Sequence, residues 1–129
     1  MNSIRTIVLL VMLLPMTIAQ AQRTPEQEKY ARAMQEMKTL VEPGSMSRNY
    51  LYCAVLSSNL NLGDMYGLFV RKTFEITQNP EAFTLALSYM TGFFDNESLQ
   101  QKRDMSSEQY GELLGNLYKI QCLKQVLSR

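Results

Sequence analysis

The 129-residue chain contains no histidine, and that absence removes most familiar routes to hydrolysis. A general-base imidazole, a Ser-His or Cys-His nucleophile pair and the common zinc ligand sets are missing or would need unusual substitutes. Cysteine is nearly as scarce. The two present, Cys53 and Cys122, do not form the Cys-x-x-Cys frame of a redox or zinc motif. The sequence also lacks an EF-hand loop, a phosphate-cradling glycine motif and a dinucleotide fingerprint, so no metal and no cofactor is expected. Beyond the first 21 residues there is no long apolar run, no internal repeat and no low-complexity tract. Val, Ile and Thr do not alternate at period two, which argues against a sheet.

What is present begins with a leader. Arg5 gives a short positive stretch, Ile7 to Leu14 is unbroken apolar sequence, and Ala19-Gln20-Ala21 offers small side chains where a signal peptidase reads. Residues 1–21 are expected to be a signal peptide and residues 22–129 a single helical domain, located in the periplasm or outside the cell. The apolar run before Pro15 falls well short of the roughly 20 residues that span a bilayer as a helix, so no stable membrane anchor is expected after cleavage. No cysteine stands near the cut to carry a lipid. Cleavage before Gln22 leaves 108 residues with 12 basic and 12 acidic side chains. With no net charge, nothing steers the mature chain towards nucleic acid or an anionic membrane.

Apolar spacing predicts a helix-only fold. Thr24-Pro25-Glu26-Gln27 has the capping residue, N1 proline and N3 glutamine of a helix start, and Tyr30, Ala33, Met34, Met37, Leu40 and Val41 continue it to about Val41. Pro43-Gly44-Ser45 ends it. A second helix is expected over Ser47 to Leu60; Tyr50, Cys53, Ala54 and Leu60 form one stripe, and Leu51, Val55 and Leu56 broaden it beyond a simple surface helix, which makes it central. A third, from about Asp64 to Gln78, presents Met65, Tyr66, Phe69, Val70, Thr73 and Phe74 on one face. Asn79-Pro80-Glu81 starts a fourth with the stripe Phe83, Ala86, Leu87, Met90, Phe93 and Phe94, expected to end near Phe94. The polar segment Asp95 to Met105 is expected to be a loop. Ser106 and Gln109 then form a capping box for a last helix running to Leu127 or Ser128. Gly92, Gly111 and Gly115 either admit close neighbours or lower helix propensity. The expected fold class is all-α, a small disulfide-linked antiparallel helical bundle of four to five helices.

In an exported chain two thiols are usually paired, and a Cys53–Cys122 bond would staple the last helix to the second. Closing a loop of about 70 residues stabilises by about 4 kcal/mol on the chain-entropy relation. The alternatives are a buried free pair or a catalytic thiol. The carboxylates are dispersed; Asp64 with Glu75, or Glu108 with Glu112, are the pairs open to acid/base work, and ordinary solvated side chains are the alternative. Tyr50, Tyr52, Tyr66, Tyr89, Tyr110 and Tyr118 suit core or boundary packing, or a partner surface. The expected partner-binding residues are Asp95, Glu97, Leu99, Lys102 and Arg103, mixed charges around one apolar side chain.

With the leader and the helical pattern, the neighbourhoods Tyr50-Leu51-Tyr52-Cys53-Ala54 and Tyr118-Lys119-Ile120-Gln121-Cys122-Leu123 give the chain a resemblance to the small helical periplasmic immunity proteins made against type VI secretion amidase effectors. The resemblance implies a disulfide-tied helical bundle, often homodimeric, that catalyses nothing and blocks the substrate cleft of a peptidoglycan-cleaving cysteine amidase. Other classes stay open: a periplasmic secretion chaperone or pilotin-like protein, an envelope-complex component, and a small carboxylate-dependent enzyme.

Overall fold

A computed structural model describes residues 24–127, all in helices and the turns between them; the signal-peptide reading of residues 1–21 lies outside the described residues. The described residues form α1 (Pro25–Leu40), α2 (Met46–Asn59), α3 (Gly63–Ile76), α4 (Pro80–Asp104), α5 (Ser107–Gln121) and the one-turn α6 (Leu123–Leu127). The fold is all-α, and the Cys53–Cys122 disulfide is present. The chain divides into two compact units at Arg32/Ala33. In the first, the described residues are the exposed opening turns of α1, started by the reciprocal box the sequence predicts: Gln27 N–H donates to Thr24 Oγ1 at 3.2 Å and Thr24 N–H to Gln27 Oε1 at 3.0 Å.

The second unit holds the core. Residues Tyr50, Leu51 and Cys53 to Ser57 are all buried, so α2 is covered on nearly every side, as its sequence requires. It packs most extensively on α3 through Phe69, and then on α4. Ala82, Ala86, Met90, Phe94 and Ser98 form the buried line of α4 at intervals of four, the spacing that keeps one helical face inward. From α1 come Ala33, Met37 and Leu40, and from α5 Leu114 and Tyr118.

Three of the turns satisfy backbone groups that a helix end leaves without partners. After α1, Gly44 takes a positive φ of 82°, and Ser45 caps α2 by accepting from Arg48 N–H at 3.1 Å. The last carbonyls of α1 are taken by side chains of α2: Ser47 donates to Leu40 O at 2.7 Å and Arg48 to Val41 O at 2.5 Å. After α2, Asn61 sits at φ 59°, with Leu62 N–H on Ser57 O at 2.9 Å and Asn61 N–H on Ser58 O at 3.2 Å. This is the Schellman pattern with asparagine in the usual glycine place. Before α4, Asn79 Oδ1 accepts from the N–H groups of Glu81 and Ala82, while Thr77 Oγ1 and Asn79 Nδ2 both donate to the Glu36 carboxylate of α1.

Two sequence expectations are corrected. Residues Asp95–Asp104 are not a loop: α4 runs unbroken for 25 residues to Asp104. Neither proline nor glycine interrupts α4 after Gly92, and Glu97, Leu99, Gln100, Gln101, Lys102 and Arg103 are all good helix formers. Lys102 and Arg103 also complement the negative end of the helix. The last helix, expected to continue to Leu127 or Ser128, instead breaks at Cys122, where φ is −115° and the side chain is fully buried against Cys53. An added Cβ at Gly92, Gly111 or Gly115 meets nothing within 4 Å. None of the three admits a close neighbour, and their consequence is lower helix propensity.

Candidate binding surface and groove

The five residues expected to bind a partner are all exposed on the second half of α4, but they do not form one patch. At 100° per residue, Asp95, Leu99, Lys102 and Arg103 fall within an arc of about 100°, whereas Glu97 lies on another side of the helix. Leu99 is 53% exposed at the middle of that arc. The buried line of α4 ends at Ser98, so the helix continues six residues further, about 9 Å, without a buried side chain. Lys102 rests its ammonium 5.3 Å from the centre of the Tyr110 ring, a cation–π contact that ties this stretch to α5.

Glu97 belongs to a different feature. It lines an open groove of about 510 Å³ together with Met46, Arg48, Asn49 and Tyr52 of α2, Met90 and Phe93 of α4, and Gln121 and Gln125 beside Cys122. Arg48 is half-buried and fixed: one nitrogen donates to Val41 O, and the guanidinium lies over the Phe93 ring, 4.9 Å from its centre. A guanidinium has five donors, so this anchoring leaves most of its hydrogen-bonding capacity to the groove. Tyr52 packs edge-on against Phe94 with ring centres 6.1 Å apart. Burial, with smaller contributions from the Glu97 and Tyr110 charges, raises its pKa above the ordinary phenol value. Its hydroxyl therefore keeps its proton at neutral pH and can donate.

The disulfide is buried behind this groove, joining Cys53, next to Tyr52, to Cys122, next to Gln121. The Cα atoms of Cys53 and Cys122 are 5.6 Å apart, and the Cys53 sulfur lies 3.9 Å from the Gln121 carbonyl oxygen. Because Cys53 is bonded and has no proton to give, that approach is a packing contact. The bond holds the end of α5, and with it Gln121 and Gln125, beside Asn49 and Tyr52.

Arg48, Asn49, Gln121 and Gln125 were not singled out in the sequence. The available signal was positional: Arg48 and Asn49 follow the Pro43-Gly44-Ser45 turn, and the glutamines flank Cys122. The acid pairs considered for catalysis, Asp64 with Glu75 and Glu108 with Glu112, are exposed and do not line the groove. Tyr50 and Tyr118 are core residues, Tyr52, Tyr66 and Tyr110 are boundary residues, and Tyr89 is exposed. Burial also raises the Tyr118 pKa. Among the described residues, no cluster of three or more Cys, Asp or Glu side chains is placed to hold a metal ion, and no helix is long and apolar enough to cross a membrane. No protein-family model, curated protein or solved structure matches the chain.

Proposed function

We propose that the protein is an exported protein-binding module, an immunity protein that inhibits a peptidoglycan amidase effector by filling its active-site cleft. The observation that carries this reading is the exposed second half of α4, where Asp95, Leu99, Lys102 and Arg103 share one side of a helix that outruns the core. A rigid helix end loses less conformational freedom on docking than a loop does. Leu99 supplies the apolar contact, and the charges around it set encounter rate and partner choice. The resemblance of the leader and cysteine neighbourhoods to periplasmic immunity proteins supplies the partner class. The leader and the disulfide suit the oxidising compartment in which such an inhibitor acts.

The test is to titrate the exported, oxidised protein into a peptidoglycan-hydrolysis assay with a cell-wall cysteine amidase effector from the same source. Stoichiometric inhibition is expected, and K102E combined with R103E should weaken it at least tenfold while lowering the melting temperature only slightly, through the reversed charge at the end of α4 and the lost Lys102–Tyr110 contact. Full hydrolysis at a tenfold molar excess of the protein would sink the reading.

A further inference from the structure

The groove lined by Glu97 lies on the opposite side of α4 from Leu99, so what it binds is independent of the amidase reading. The groove at the disulfide has the size of a small-ligand or short-peptide site and is open to solvent, which suits an extended chain. Its polar groups are of two kinds. Arg48, held by Val41 O and the Phe93 ring, is a fixed cation with donors to spare, and the Tyr52 hydroxyl and the Asn49 and Gln121 amides add further donors. Glu97 is the one carboxylate on the lining. Met46, 64% exposed, and Phe93 give an apolar wall between these charges. The arrangement complements a segment with an acidic side chain, a basic side chain and an apolar stretch.

We propose that this groove binds an extended peptide segment of a partner protein, with the segment's carboxylate on Arg48 and its basic side chain on Glu97, and that the site exists only while the Cys53–Cys122 bond is closed. The redox condition follows from the covalent geometry. Gln121 directly precedes Cys122 and Gln125 follows it by three residues in α6, the bond ties Cys122 to Cys53, and Cys53 adjoins Tyr52 on the other wall. Reduction frees the end of α5 and α6 to move away from α2, and one wall of the groove goes with them.

The experiment uses the exported, oxidised protein and blocked octapeptides of Gly, Ser and Leu carrying one Glu and one Lys at separations of two to five residues. The controls are the same peptides with Gln in both charged places and free glutamate. Binding is read by fluorescence polarisation and by backbone amide shifts. At least one Glu/Lys peptide is expected to bind tenfold or more tighter than its Gln control, with shifts at Asn49, Tyr52, Phe93 and Gln121. R48E should lower that affinity at least tenfold, and replacing the peptide's Glu by Lys should restore it. R48Q, which keeps a donor for Val41 O, should give the same loss if folding is intact. Reduction should abolish the shifts, and L99A should leave them unchanged, which separates this site from the outer face of α4. Equal binding of charged and uncharged peptides, competition by free glutamate, or full binding after reduction would overturn the proposal.

Discussion

The two halves of α4 are one continuous helix, yet their side chains are committed in opposite ways. From Pro80 to Phe94 every fourth residue is buried, ending in Met90 at 1% exposure and Phe94 at 3%. From Asp95 to Asp104 only Ser98 is buried. The first half is helical because it packs. The second has no such support and is held by propensity, by continuity with the first half and by favourable charges at its end. An element whose side chains are free of the core can change its surface without changing the fold, which is what a surface matched to one partner requires. The core half carries the opposite constraint, and the disulfide adds to it. Substitutions should therefore divide sharply between the two regions, and their sizes can break the division or refine it.

The largest effect belongs to the cross-link. Cys53→Ser removes a tie between residues 69 apart, and the chain-entropy relation puts its contribution at about 4 kcal/mol. Urea denaturation in oxidising buffer should show that loss, while in reducing buffer wild type and variant should nearly coincide. An equal deficit in both buffers would mean that Cys53 acts by packing alone. Next comes the core half of α4. Met90→Ala empties a fully buried position against α2 and should cost about 2–5 kcal/mol in the same assay. A cost below 1 kcal/mol would show that this half is as tolerant as the other.

These regions were not equally legible in the sequence. The starts of the helices were, because Thr24, Asn79 and Ser106 announce caps through side-chain chemistry, and the buried stripe of α4 was, because its spacing is periodic. The central place of α2 followed from an apolar stripe that Leu51, Val55 and Leu56 broaden. The polarity of Asp95 to Met105 predicts a loop, yet polarity describes exposure and not backbone conformation; the absence of glycine and proline was the better guide to the helix. Asn61 as a helix terminator was less legible, because asparagine there takes the left-handed position that glycine usually fills. The groove was not legible at all, since Arg48, Glu97 and Gln121 are brought together only by tertiary packing and the disulfide.

Gly92 stands near the junction of the two halves and offers a gain in place of a loss. Its φ is not positive and an added Cβ meets no neighbour, so Gly92→Ala should stabilise the protein by up to about 1 kcal/mol through helix propensity. No gain would indicate that this junction keeps its flexibility in the native state, so that alanine restricts the folded and the unfolded chain alike.

A subtler link between the halves runs through Tyr52. Its raised pKa comes first from burial, then from Glu97 and Tyr110. Below the unfolded value near 10 the phenol is neutral in both states and the fold keeps its full stability. As pH rises past that value the unfolded chain ionises first, and stability falls until the folded-state pKa is passed. Tyr52→Phe should flatten part of this alkaline decline in melting temperature. Glu97→Gln should bring the Tyr52 titration down without returning it to the ordinary value, because burial is the larger cause. A complete return would reverse the order of the two causes.

The smallest expected effect on stability lies at Leu99, and it bears most directly on function. A leucine 53% exposed on a helix face has little surface to lose on truncation, so Leu99→Ala should leave unfolding free energy within about 0.5 kcal/mol of wild type. If the outer face of α4 docks on a partner, the same change removes apolar contact from the centre of the interface, where truncations cost most. Binding should then weaken while the denaturation curve stays where it was. A stability loss above 1 kcal/mol that grows with protein concentration would show instead that Leu99 is covered in solution by a second copy of the chain, and the second half of α4 would be an assembly surface.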